Sequence, residues 1–106
     1  LTAEDARLNT SGPLRWACEN GHLDVAQWLT AEFGLTAEDA CADKNYALRW
    51  SCRNGHLATA QWLVAEFDLT TSDARANDNE AVLRSRENGH YEVVYWLLAT
   101  FRFFSH

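Results

Sequence analysis

The residues with the most potential for chemistry are three histidines that recur at one spacing. His22, His56 and His90 lie 34 residues apart, and each follows an Asn-Gly pair. Histidine is the commonest metal ligand and a frequent general base. If the spacing reflects stacked structural units, the units separate these side chains by about 10 Å, whereas a zinc ion needs its ligands about 2 Å away. We therefore predict no metal site and a structural role for each histidine.

The cysteines are the second candidate group. The chain contains Cys18, Cys41 and Cys52, and the first and last of these are also 34 residues apart. A disulfide bond needs Cα atoms within about 7 Å of each other, which stacked units about 10 Å apart do not provide. Neither Cys18 nor Cys52 has a neighbouring base in the sequence that would lower its pKa. We predict reduced thiols that fill the core and, on that ground, a cytoplasmic protein.

Carboxylates occur in pairs, but at positions that suit a structural role. Glu4-Asp5 and Glu38-Asp39 stand at the start of predicted helices, where acidic side chains cap free N–H groups and complement the helix dipole. Acid–base catalysis needs carboxylates that converge across a cleft. The sequence has no phosphate-binding glycine loop, nucleophile elbow or His-Glu metal motif. We predict that the chain is not an enzyme and binds no cofactor.

The composition is that of a folded, acidic domain. The 106 residues are 47% hydrophobic and carry a net charge of -6, which is compatible with a single core. An acidic surface repels the phosphates of nucleic acids and anionic lipids, and no apolar run approaches the roughly 20 residues that span a bilayer. We therefore expect neither nucleic acid nor a membrane as a partner.

An internal repeat with a period of 34 residues organises the chain. Residues 1–6 return at 35–40 and more weakly at 69–74, and the same offset relates the three Asn-Gly-His motifs and the tryptophans Trp28, Trp62 and Trp96. We divide the single domain, residues 1–106, into units 1–34, 35–68 and 69–102 and a tail, 103–106. Because the first two units are nearly identical and Met is absent, we expect an excised or engineered segment of a longer array.

Each unit predicts two antiparallel helices and a short helical turn. The first helix covers residues 13–19, 46–53 and 80–87 in the three units and ends at Asn-Gly, a strong stop signal. Apolar residues at helical spacing then predict a second helix, with the three tryptophans packed as a ladder between units. Thr36 and Asp39 form a capping-box pattern before a helical turn at 37–42. Alternating strand patterns are nearly absent, so we predict an all-α fold.

The motifs around the first helix resemble the ankyrin repeat. Residues 13–26 read Pro-Leu-Arg-Trp-Ala-Cys-Glu-Asn-Gly-His-Leu-Asp-Val-Ala, and residues 47–57 repeat most of this pattern. It is similar to the ankyrin consensus of Thr-Pro-Leu-His, small residues, a Gly-His turn and aliphatic residues, in the variant of giant-virus and protist arrays. The resemblance covers essentially the whole chain. It implies a solenoid of stacked helix–turn–helix units in which the histidine braces neighbouring loops.

Two departures from that family shape the prediction. The stretch 36–46 lacks the turn glycine of the usual finger hairpin, so we expect a short helical turn in its place. The unit is also one residue longer than the usual length of about 33. A tetratricopeptide repeat shares the period of about 34, but it needs longer first helices, which Asn-Gly-His would interrupt. We therefore predict ankyrin repeats.

The resemblance implies that the concave side and the tips of the units bind another protein. Trp16 and Trp50 lie toward this side and can serve either as core residues or as binding anchors beside an arginine. By analogy, the residues for partner binding are Asn9, Ser11, Trp16, Glu19, Asn20, Asp43, Asn45, Trp50, Arg53, Asn54, Asp78, Glu80, Arg84 and Glu87. We predict a protein–protein interaction module.

Two other functions stay open from the sequence. Solenoids without polar capping units tend to associate end to end; we see no such unit here, and the stretch 101–104 is apolar apart from its arginine. If such association dominates, the chain is a self-associating scaffold segment. An engineered repeat without a natural ligand is the third alternative.

Overall fold

The computed structural model describes residues 12–101, and this part of the chain folds into eight helices without a strand. The helices are α1 (Gly12–Glu19), α2 (Leu23–Phe33), α3 (Ala37–Ala40), α4 (Ala42–Arg53), α5 (Leu57–Phe67), α6 (Thr71–Ala74), α7 (Ala76–Glu87) and α8 (Tyr91–Phe101). The prediction of an all-α fold is confirmed. None of these helices combines the length and apolar character needed to cross a bilayer.

Each unit consists of a first helix (α1, α4 or α7) and a second helix (α2, α5 or α8). The first helices end at Asn-Gly because Gly21, Gly55 and Gly89 take positive φ values of 73 to 78°, a left-handed conformation that costs glycine nothing. The next residue, a histidine, leads directly into the second helix. The predicted helix–turn–helix unit is therefore confirmed.

The short helices α3 and α6 take the place of finger hairpins, and their sequences explain their starts. The Thr36 N–H donates to Asp39 Oδ2 at 2.8 Å, and the Thr70 N–H donates to Asp73 Oδ2 at 2.8 Å. The threonine and aspartate thus satisfy donors that the first helical turn leaves open. The predicted capping box is confirmed at Thr36; the matching Thr2 lies outside the described residues.

The first helices hold the stack together. Helix α4 packs against both α1 and α7, whereas each second helix packs mainly on the first helix of its own unit. Leu14, Leu48, Leu63 and Leu97 are almost completely buried along this core. The first helices pack most closely from unit to unit, and we call the side of the stack that they form the inner side.

The tryptophans of the second helices differ in their exposure. Trp62 lines a groove with Gln27 and Thr30 of α2, and both Trp62 and Trp96 are half-buried against the core. Trp28, which has no preceding unit of this kind among the described residues, is 56% exposed. Among residues 12–101, the ring contacts of these tryptophans are with the phenylalanine five residues later in the same helix, so the ladder between units stays a prediction.

The face of the third unit that points away from the second carries charge. Cys18 and Cys52 are completely buried at one repeat position, and Ser51 Oγ donates to the Cys18 carbonyl across the interface between units 1 and 2. The residue at this position in unit 3 is Arg86, and it is exposed. A guanidinium therefore replaces a buried thiol at this position, whereas the absence of a polar capping unit stays a prediction.

Candidate protein-binding surface

The inner surface of the stack is formed by the exposed sides of the first helices. Trp16, Trp50 and Arg84 occupy one repeat position and form a row across α1, α4 and α7. Trp16 is 56% exposed, Trp50 is half-buried and Arg84 is exposed. A large aromatic side chain on a rigid helix, with its ring half in solvent, is the usual composition of an interface anchor.

Four side chains on this surface form a continuous stack of rings and guanidinium groups. The Arg15 guanidinium lies 4.9 Å from the Tyr46 ring centroid, the Tyr46 and Trp50 rings stack at 5.4 Å, and the Arg53 guanidinium lies 4.3 Å from the Trp50 centroid. Tyr46, Trp50 and Arg53 share one face of α4 because they are spaced by four and three residues. Each cation–π contact orients a guanidinium without consuming its hydrogen-bond donors.

Tyr46 also closes one side of a groove between α1 and α4. Its hydroxyl donates to Glu19 Oε1 at 2.5 Å, and this bond raises the pKa of Tyr46. The groove has a volume of about 180 Å³ and is lined by Gly12, Arg15, Trp16, Glu19 and Tyr46; we call it the Gly12 groove. Sequence reasoning did not select Tyr46. The available signal was the variation of this position among the units, from Gly12 to Tyr46 to Glu80.

The tips of units 2 and 3 are left-handed turns that precede the right-handed part of α4 and α7. Asp43, Lys44 and Asn45 have φ values of 55 to 61°, and residues 77–79 have φ values of 58 to 63°. Arg49 braces the first of these turns, since its Nε donates to the Lys44 carbonyl at 2.8 Å and its Nη2 to the Asp43 carbonyl at 3.0 Å. The remaining nitrogen of Arg49 pairs with Glu80 in the next unit.

These contacts remove two residues from the set selected for partner binding. Asn45 is only 6% exposed and donates through Nδ2 to Asp73 Oδ1 at 3.2 Å. Glu80 is half-buried in its ion pair with Arg49. Both predictions are corrected for the same reason, which is that the side chains are consumed by contacts between units.

The asparagines of the helix-ending turns also join units. Asn54 Nδ2 donates to the Glu19 carbonyl at 2.9 Å, and Asn88 Nδ2 donates to the Arg53 carbonyl at 3.3 Å. Asn20 Nδ2 bonds within its own helix, to the Trp16 carbonyl at 2.9 Å. Asn20 and Asn54 are exposed but already bonded, so they offer a partner chiefly their carbonyl oxygens.

The other selected residues are exposed or half-exposed at the tips and along the first helices. Asp43 pairs with Arg15 at 3.1 Å and Arg84 pairs with Glu87 at 2.7 Å. Asp78 and Arg84 line a second groove of about 220 Å³ in unit 3. Asn9 and Ser11 lie outside the described residues.

Charge is divided between the two layers of the stack. The second helices α2, α5 and α8 contain Asp24, Glu32, Glu66 and Glu92 and no basic residue. Helix α4 contains Lys44, Arg49 and Arg53 against a single acid, Asp43. Arg53 has no carboxylate within ion-pair distance among residues 12–101. The centre of the inner surface is therefore the part of the described fold best suited to an anionic group.

The histidines and cysteines are placed for packing. The turn glycine Gly21 lies directly on the His56 ring, and Gly55 lies on the His90 ring in the same way. Burial raises the pKa of the Cys18 thiol to about 12 and also raises the pKa of Cys52. Within residues 12–101, no three His, Cys, Asp or Glu side chains are grouped as metal ligands would be.

Comparisons with known proteins give one match. The family model described as ankyrin repeats in three copies matches residues 14–103. No curated protein and no solved structure matches the chain. The matched range contains all three Asn-Gly-His turns, the whole of α4 and α7, and α1 from its third residue, Leu14, onward.

Proposed function

The chain belongs to the ankyrin repeat family, and we propose that it is an interaction module whose inner surface binds another protein. Ankyrin repeats are generally protein–protein interaction modules and are typically not enzymes. We accordingly propose no catalytic activity. The three free thiols suit a reducing compartment, and we place the protein in the cytoplasm.

One observation carries this proposal: Trp16 stands 56% exposed on a rigid helix, at the edge of the Gly12 groove. The neighbouring ring, Trp50, is half-buried beneath the Arg53 guanidinium. Interfaces gain most of their affinity from a few tryptophan, tyrosine and arginine side chains at the centre of a patch. The described inner surface supplies all three residue types side by side.

The experiment compares two tryptophans of equal exposure on opposite layers. Trp16 on α1 and Trp28 on α2 are both 56% exposed, so Trp16→Ala and Trp28→Ala remove the same kind of apolar surface. Peptides are selected from a displayed random library with the purified chain, and their affinities are measured for both variants. We expect Trp16→Ala to weaken binding by about tenfold or more and Trp28→Ala to leave it unchanged. If both variants lost the same affinity, or only Trp28→Ala lost affinity, the peptides would bind a surface other than the inner surface.

Self-association is the second candidate, and a separate observation favours it. Trp28, Val25 and Tyr95 of the second helices are 56%, 36% and 69% exposed, so this layer offers apolar surface that a second copy could cover. The charged Arg86 face opposes head-to-tail stacking because the guanidinium would be buried. Light scattering over a concentration series tests this function: a constant monomer mass excludes it, and an oligomer that Trp28→Ala dissociates would establish it.

A further inference from the structure

The Gly12 groove is bordered by a position that carries a side chain in the other units but not in unit 1. Tyr46 and Glu80 occupy the positions equivalent to Gly12 in units 2 and 3, and the Tyr46 hydroxyl bonds to Glu19. The groove beside Gly12 has a volume of about 180 Å³. We infer that the partner is a peptide segment that places one large apolar side chain in the Gly12 groove and one carboxylate against Arg53. This inference rests on the proposed function.

The walls of the Gly12 groove favour an apolar occupant. Two bonds already hold the charged groups that border it, because Arg15 Nη1 pairs with Asp43 and Glu19 Oε1 accepts the Tyr46 hydroxyl. Beside them lie the exposed ring of Trp16 and the ring of Tyr46. A charged ligand would have to displace these bonds, whereas an aromatic or aliphatic side chain packs on both rings without breaking one.

Arg53 supplies the second half of the recognition. Its guanidinium lies over the Trp50 ring, 4.3 Å from the centroid, and a planar guanidinium binds a carboxylate through two parallel hydrogen bonds. The residues at the same repeat position, Glu19 and Glu87, are occupied by Tyr46 and Arg84. Arg53 is therefore the one member of this row whose charge is not matched by a side chain of the described fold.

The distance between the two contacts sets the spacing of the motif. Tyr46, which borders the groove, and Arg53 lie seven residues apart on α4, which corresponds to a rise of about 10.5 Å. This is about the length of three residues of extended chain. The motif is thus a large apolar residue followed or preceded, about three positions away, by Asp or Glu.

The surrounding charge limits the partner to a few carboxylates. The protein has a net charge of -6, and the row that contains Arg53 places a glutamate on either side of it. A strongly acidic segment would meet repulsion from these groups, which act over the Debye length of about 8 Å at physiological salt. A single carboxylate opposite Arg53 avoids that repulsion.

The test uses substitutions that the repeat itself already tolerates. Gly12→Tyr installs the residue of unit 2 and fills the groove, and Arg53→Glu installs the residue found in units 1 and 3. Arg86→Glu makes the same change of net charge at the exposed end face and is the control. Circular dichroism on every variant establishes that it is folded, and Arg53→Gln serves as the milder second variant.

Peptides selected with the unmodified chain should carry the apolar and acidic pair at the stated spacing. Gly12→Tyr and Arg53→Glu should each weaken their binding by about tenfold, which corresponds to about 1.4 kcal/mol, whereas Arg86→Glu should not. A peptide whose carboxylate is changed to lysine should bind Arg53→Glu better than it binds the unmodified chain. That exchange would assign the carboxylate to Arg53 directly.

The contrary outcomes separate this inference from the proposed function. Selected peptides that depend on Trp16 but lack the acidic residue, or that lose equal affinity with Arg53→Glu and Arg86→Glu, overturn the inference and leave the binding module intact. Failure to select any Trp16-dependent peptide overturns both.

Discussion

At the scale of single residues, two turn glycines pack directly on histidine rings of the next unit. A Cβ atom at Gly55 would lie 2.6 Å from His90 Nδ1, and one at Gly21 would lie equally close to His56. Gly89 has nearly the same φ value, 77° against 78°, but nothing within 4 Å. The histidines that first suggest metal binding are thus packing surfaces for the turn of the preceding unit.

This geometry predicts that alanine is tolerated differently at two equivalent turns. Gly55→Ala and Gly89→Ala both force a side chain into left-handed backbone, at a cost of about 1–2 kcal/mol. Gly55→Ala also drives a methyl group into His90, which should add about 1–3 kcal/mol. Urea unfolding of both variants measures the difference. Equal losses of stability would mean that the His90 ring moves aside freely.

The buried thiols predict a loss of stability in alkali. The pKa of Cys18 rises from 9.0 to about 12 on folding, and that of Cys52 also rises. Below about pH 9 the two thiols are protonated in both the folded and the unfolded state, so they cost no stability. Above it only the unfolded state ionises, so each thiol should cost about 1 kcal/mol by pH 10. The double variant Cys18→Ala, Cys52→Ala should therefore lose less stability between pH 8 and pH 10 than the unmodified chain, in urea with reductant present. If the substitutions left the dependence of stability on pH unchanged, the assignment of this effect to the two buried thiols would be wrong.

At the scale of elements, the left-handed turns before α4 and α7 are the least ordinary feature. Three successive residues with positive φ are costly for most side chains, and asparagine and aspartate tolerate the conformation best. The turns contain Asp43 and Asn45 in unit 2 and only Asn and Asp, residues 77–79, in unit 3. Arg49 then holds the first turn by two carbonyl contacts.

We predict that Arg49→Leu destabilises the fold by about 2–4 kcal/mol. Leucine is the residue of unit 3 at this position, Leu83, so its shape suits the helix. The loss arises because Glu80 would remain half-buried without its cation and the turn would lose its donors. The matched control is Arg84→Ala, which breaks an exposed pair and should cost less than about 1 kcal/mol. A second change, Glu80→Gln, should restore part of the loss in Arg49→Leu.

The sequence predicts the helices well because their signals are local. Asn-Gly turns, the Thr36–Asp39 capping box and apolar spacing each act within a few residues, and the structure has helices where these signals place them. The left-handed turns were not predicted, since successive left-handed residues are rare. Asn45 and Glu80 were assigned to a partner because their bonds reach 28 and 31 residues along the chain. The sequence of one unit alone does not indicate which of its side chains bond to a neighbouring unit.

At the scale of the whole molecule, stability comes from interfaces between neighbouring units. Leu63 of the central unit is completely buried, and α4 of the same unit contacts both other first helices. In such a stack the central unit shares an interface with each outer unit, so a destabilising substitution in it weakens both interfaces. The inner surface depends on this coupling because its rows of side chains run across all three first helices.

Leu63→Ala should therefore lower the free energy of unfolding by about 2–5 kcal/mol. Arg53→Ala, a change of a half-buried surface residue in the same unit, should alter it by less than about 0.5 kcal/mol. Urea titrations followed by tryptophan fluorescence and by circular dichroism measure both. If Arg53→Ala unfolded the chain, the assignment of Arg53 to the inner surface would be wrong.

The exchange of Cys18 and Cys52 for Arg86 means that the three units are not interchangeable modules. Unit 2 has a buried thiol at this position, so a following copy of unit 2 would cover an apolar side chain there, as unit 3 does in this fold. Unit 3 cannot be inserted upstream without enclosing a guanidinium. An array of this type can therefore lengthen by duplication of its interior segment, 35–68. The residue at this one position determines whether a unit can be followed by another.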